Sequence, residues 1–221
     1  MMTRRKLLFT LKHISASSCI LFVTLLLFFG TSFAQHCDPL AVDYIGNPGE
    51  YTVGSLTEID GIRNGPDYRG ATIYYPTNAT PPYSGIVIAP GFVSAQSSIK
   101  NWGPYLASHG IVTMTIGTNR IFGFPETRRD ALLDALVTLK RENTRAGSPL
   151  LDQLDVNSLA VGGWSMGGGG AQLAAVTDPS INAVMAICPW LRSRKLTPAE
   201  INHATPILFF SAENDCIAPP V

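Results

Sequence analysis

The chain has 221 residues, a formal net charge of +0 and 46% hydrophobic residues, enough to bury one substantial core. Charged residues make up only 14%, against about a quarter in ordinary globular chains. That balance excludes an electrostatic basis for binding nucleic acid or an acidic partner, and no nucleic-acid partner is expected.

Residues 1–34 read as a leader outside the fold. Arg4, Arg5, Lys6 and Lys12 form a basic start, and residues 20–29 are apolar except for Thr24. Ser32-Phe33-Ala34 then places small residues where a signal peptidase cuts, which would leave Gln35 first. The apolar run is too short for the about 20 residues that cross a bilayer. A secreted or periplasmic protein is therefore expected, with no stable membrane insertion after cleavage. The Thr3–Leu8 stretch also has the paired arginines of a twin-arginine signal. Removing the leader removes Cys19 and keeps Cys37, Cys188 and Cys216. An odd count implies a free thiol or a pairing partner outside these residues. No Cys/His spacing suits zinc, and neither a metal nor a cofactor is expected.

Residues 35–50 form a lead-in punctuated by Pro39, Gly46, Pro48 and Gly49. A single domain is expected over residues 51–221, acting as a monomer. Residues 51–57 and 71–75 read as strands separated by a turn-rich stretch. Residues 84–89 (SGIVIA) are almost wholly apolar, as in a strand buried on both faces of a parallel sheet. A helix is expected over 96–109, a strand over 111–116, and a helix over 127–143. In the last of these, Ala131, Leu132, Ala135, Leu136 and Leu139 share one face. A strand over 158–163, a helix from Ser165, and strands over 181–187 and 206–210 complete the series. The alternation predicts an α/β fold: a mostly parallel, doubly wound sheet flanked by helices, with the first two strands added antiparallel at one edge.

Gly163-Trp164-Ser165-Met166-Gly167 matches G-x-S-x-G. The setting supports it, because a strand precedes the serine and a helix follows, as a nucleophile elbow requires. A serine hydroxyl needs a base to take its proton and a carboxylate to orient that base. The carboxylate belongs in the loop after a later strand, where both Glu213 and Asp215 qualify on spacing.

Several segments closely resemble the bacterial cutinase-like polyester hydrolases, a family with poly(ethylene terephthalate) hydrolases among its members. They are Pro90-Gly91-Phe92, Gln96 to Lys100, Trp102-Gly103-Pro104, Ala107 to Gly110, Gly163 to Gly170, Pro189-Trp190 and Glu213 to Pro219. The resemblance implies an α/β-hydrolase fold and serine carboxylic-ester hydrolysis of a polyester, lipid or small ester. It implies Ser165 as nucleophile and Asp215, not Glu213, as the acid. Backbone amides of Phe92 and Met166 would form the oxyanion hole, in keeping with one donor after the nucleophile and another after the third strand. Phe92 (a tyrosine in many relatives), Trp190 and Ile217 would contact substrate.

The sequence departs from that family in lacking a suitable histidine. None follows Asp215, and His13, His36, His109 and His203 are all poorly placed to serve Ser165. The histidine, the last strand and the closing helix are expected beyond Val221, in a longer protein. The competing expectation is an inert relative that binds a polymer or ligand.

Overall fold

The computed structural model describes residues 46–192, 195–201 and 204–218. The expected leader, the lead-in as far as residue 45, His13, His36, Cys37 and His203 lie outside the described residues. The strands are β1 (Val53–Thr57), β2 (Tyr68–Pro76), β3 (Tyr83–Ala89), β4 (Val112–Thr118), β5 (Leu154–Trp164), β6 (Ala183–Ile187) and β7 (Ile207–Phe210). They form one sheet in the order β1-β2-β4-β3-β5-β6-β7. β1 pairs antiparallel with β2, and β2 with β4. Every pair from β4 to β7 is parallel. This is the mostly parallel, helix-flanked sheet of an α/β-hydrolase, with the antiparallel pair at one edge.

Helices α1 (Trp102–Ser108), α2 (Pro125–Glu142), α3 (Met166–Thr177) and the short α4 (Pro198–Ile201) connect the strands. The apolar stripe of α2 packs with Ala171, Ala174 and Ala175 of α3 onto Ile73, Val87, Met114, Ile116, Val161 and Val184 of the sheet. Leu132 and Leu139 are fully buried there, worth roughly 1.5–3 kcal/mol each. On the opposite face Ile86, Ile88, Met185 and Ile187 pack with Ile99, Trp102 and Leu106. The β7 edge is less covered, with Leu208, Phe209 and Phe210 all exposed.

Most expected elements shift by one to three residues at an end, and two change more. The helix expected over 96–109 is a 3-10 turn at Gln96–Ser98 followed by the shorter α1. The Gln96 side-chain amide donates to the Thr115 carbonyl at 2.7 Å, drawing this part of the chain onto the sheet. Pro104 lacks an amide hydrogen and fits only the first turn of a helix, which places the helix start close to it. β5 begins four residues before the expected strand, because Asp155 and Asn157 interrupt the apolar run there.

Candidate active site

The parallel strands bring the ends of β5, β6 and β7 side by side, and the candidate residues lie at these ends. Ser165 sits between β5 and α3 with φ 54 and ψ −118, a sparsely populated conformation that persists only when its surroundings impose it. The flanking glycines show how tight the corner is. A Cβ on Gly163 would lie 2.3 Å from the backbone carbon of Gly167, and one on Gly167 would lie 2.2 Å from the Ala89 carbonyl oxygen. Both obstacles are backbone, so no side-chain movement relieves them.

Backbone hydrogen bonds fix the corner. The Ser165 amide donates to Ile187 at 2.8 Å, and its carbonyl oxygen accepts from Gly169 at 3.0 Å and from Trp190 at 2.9 Å. Met166 opens α3, where first-turn amides lack an intrahelical acceptor and helix partial charge favours an anion. The glycine run lets neighbours close in: a Cβ on Gly169 would lie 2.3 Å from the Trp190 carbonyl oxygen, and one on Gly170 would lie 2.4 Å from Arg128 Cβ.

The loop after β3 reaches the same place. A Cβ on Gly91 would lie 3.1 Å from Ser165 Cβ, so the peptide leading into Phe92 passes directly beside the serine. The Phe92 amide donates to no protein acceptor among the described residues. Its ring, 43% exposed, meets Phe122 edge-on at 6.0 Å. Phe122 is the most exposed of the neighbouring aromatics, and Phe124 beside it carries the Arg192 guanidinium 4.0 Å above its ring.

Asp215 is buried, whereas Glu213 is exposed. The Asp215 Oδ1 accepts from the amides of Ile217 and Ala218, each at 2.9 Å, which fixes the carboxylate in the loop after β7. The Cys188 thiol at the end of β6 lies against it. Burial, and then the charge of Asp215, push that thiol above the ordinary cysteine range. Trp190 is half-buried and Ile217 is exposed. Neither Cys188 nor Cys216 forms a disulfide among the described residues.

His109 caps the C-terminal end of α1 and meets the Tyr105 ring edge-on, with centroids 4.8 Å apart. It precedes the start of β4, at the opposite end of the parallel strands from Ser165. No group of three or more His, Cys, Asp or Glu side chains among the described residues could hold a metal. No helix among them is long and apolar enough to cross a membrane.

The sequence reading gave no site role to Arg128, Phe122 or Phe124, and it named Cys188 only as a retained cysteine, not as a neighbour of Asp215. For Arg128 a signal was present, since it precedes Ala131, Leu132, Ala135 and Leu139 by 3, 4, 7 and 11 residues on the same helical stripe.

A family model described as PET hydrolase-like matches residues 32–221. A bis(hydroxyethyl) terephthalate hydrolase of Streptomyces coelicolor is 40% identical over 153 residues, 69% of this chain and 46% of that protein. Lipase 1 of a Moraxella species is 39% identical over 153 residues, 68% of this chain and 45% of its own length. A cutinase of Thermobifida alba is 37% identical over 166 residues, 75% of this chain and 53% of the relative. The chain thus spans about half the length of these curated relatives. The family match takes in all the described strands and the serine corner between β5 and α3, and the chain belongs to the PET hydrolase-like family.

Proposed function

We propose that the complete protein is an exported serine hydrolase of carboxylic esters, with residues 1–34 as a cleaved leader. Ser165 Oγ attacks the ester carbonyl carbon while a histidine, supplied from beyond residue 221, takes its proton. The oxygen that becomes negative is received by the amides of Phe92 and Met166. The histidine then protonates the departing alcohol, and water releases the acyl group from Ser165 by the same steps. Asp215 orients the histidine. It lies two strands from Ser165, a separation of about 10 Å at ordinary strand spacing, which leaves room for an imidazole between them.

One observation carries this reading. A non-glycine residue is held at φ 54 on a strand–helix corner that tolerates no side chain on either flanking glycine. A turn needed only for packing would place glycine there. The relatives named as a terephthalate ester hydrolase, a lipase and a cutinase support ester chemistry. Trp190, Ile217 and Phe92 would line the cleft for the acyl part of a polyester or lipid ester.

The test is the full-length protein, its Ser165→Ala variant and p-nitrophenyl butyrate. Wild type should turn over and take up one fluorophosphonate on Ser165, located by peptide mass spectrometry. The variant should lose on the order of 10⁶ in turnover. Equal rates for the two proteins, or labelling at another serine, would remove the assignment.

A further inference from the structure

Arg128 is a cation with no exposed surface, and among the described residues its hydrogen bonds include no carboxylate partner. Its guanidinium instead gathers four backbone carbonyls. Nη2 donates to Gly91 and to Ile121, each at 2.9 Å, while Nη1 donates to Arg120 at 3.1 Å and to Gly123. Burial alone pushes its pKa down to about 10, so it stays charged at neutral pH. Burying a charge without a counterion is costly, and here the four carbonyl oxygens take the place of water around it.

The Gly91 carbonyl and the Phe92 amide are opposite ends of one peptide unit. In a planar trans peptide the two point in opposite directions, so holding the oxygen sets the direction of the N–H. A charge-assisted bond at that oxygen also polarises the unit and strengthens its N–H as a donor. The next residue is tied to the same cluster, because the Val93 amide donates to the Ile121 carbonyl at 2.9 Å. On its other side Arg128 Cβ occupies the space that a side chain on Gly170 would need, so α3 is seated against it too.

We propose that Arg128 is a positioning residue for ester hydrolysis: by clamping the Gly91 carbonyl it aims and polarises the Phe92 amide toward the oxyanion formed at Ser165. This rests on the esterase reading above. Lysine offers one ammonium in place of the planar fork and reaches only part of the carbonyl cluster.

The test compares full-length wild type, Arg128→Lys and Arg128→Gln. Each is counted by fluorophosphonate titration of Ser165, then assayed on p-nitrophenyl butyrate. Inhibition by an alkyl trifluoromethyl ketone, whose hemiketal oxygen occupies the oxyanion position, is compared with that by the matching non-fluorinated ketone. Deleting an oxyanion donor costs about 10²–10³ in kcat. A misaimed donor should cost about 10- to 100-fold per titrated serine in Arg128→Lys, with KM within about threefold. The trifluoromethyl ketone should weaken by the same factor and the plain ketone should not. Arg128→Gln should fall at least as far.

The proposal is overturned if Arg128→Lys keeps kcat within twofold per titrated serine. It is equally overturned if the loss appears only as fewer titratable sites, or if both ketones weaken alike. Failure of the esterase reading would show earlier, as wild type that neither turns over nor labels at Ser165.

Discussion

The amide of Trp190 donates to the carbonyl oxygen of Ser165 at 2.9 Å, so the backbone of the candidate aromatic wall is part of the frame that holds the serine. The indole itself takes no part in that bond. Trp190→Ala should therefore leave fluorophosphonate labelling of Ser165 intact while weakening contact with an aromatic acyl group. An aromatic pair contributes about 0.5–1.5 kcal/mol beyond its burial. Steady-state kinetics on an aromatic ester should show KM raised roughly 3- to 10-fold at that magnitude.

The conformation of Ser165 carries a stability cost. Residues held in sparsely populated backbone regions cost about 1–3 kcal/mol, and glycine escapes most of that penalty. Ser165→Gly should abolish turnover and yet raise the melting temperature. A gain of about 1 kcal/mol corresponds to roughly 2–4 °C for a protein of this size, readable by calorimetry. A lower melting temperature than wild type would contradict the strain.

Asp215 and Glu213 separate cleanly by substitution. Asp215→Asn keeps an oxygen for the Ile217 and Ala218 amides, so the loop should hold while kcat falls about 10⁴-fold, as for a triad acid that loses its charge. Glu213→Gln, at an exposed side chain, should change kcat less than twofold. The Cys188 thiol gives a second readout. Burial and then the Asp215 carboxylate raise its pKa, which keeps it protonated as pH rises toward 9 and slows alkylation. Removing the carboxylate charge acts in the opposite direction. Cys188 should therefore react faster with iodoacetamide in Asp215→Asn than in wild type, with Cys216 as the internal reference.

Phe122 projects its ring into solvent beside Phe92, next to the loop that passes the serine. Scattered exposed apolar residues are common, but these two rings touch. An insoluble polyester presents a surface they could lie against, whereas a dissolved ester does not require them. Phe122→Ser should leave p-nitrophenyl butyrate turnover within twofold and reduce release of soluble products from a polyester film about 3- to 10-fold, the scale of one lost aromatic contact. Equal reduction on both substrates would place Phe122 in the scaffold.

Much of the parallel sheet was legible from sequence because β3, β6 and β7 are short, nearly continuous apolar runs. The residues 84–89 run became β3, and the 206–210 run became β7, each within a residue of expectation. The serine corner was legible because glycines at 163 and 167 coincide with a strand-to-helix change. The Gln96 region was not, since a helix-like polarity pattern says nothing of a side-chain amide captured by Thr115. Arg128 was hidden for a different reason: charge normally signals solvent, and only its place on the α2 stripe pointed inward. The aromatic cluster of Phe92 and Phe122 depends on two loops meeting, which no local pattern encodes.

The four glycines at the start of α3 bear on the order in which the molecule assembles. Each costs about 1 kcal/mol in helix propensity relative to alanine, so this first turn has almost no tendency to form by itself. The β6 exit and α2 fill the space its missing side chains leave, so it should take shape only once they are in place. The serine corner should thus be among the last regions to order during folding and the first to open by local fluctuation. Amide hydrogens of 167–170 should exchange faster than those of the alanine-rich second half of the same helix.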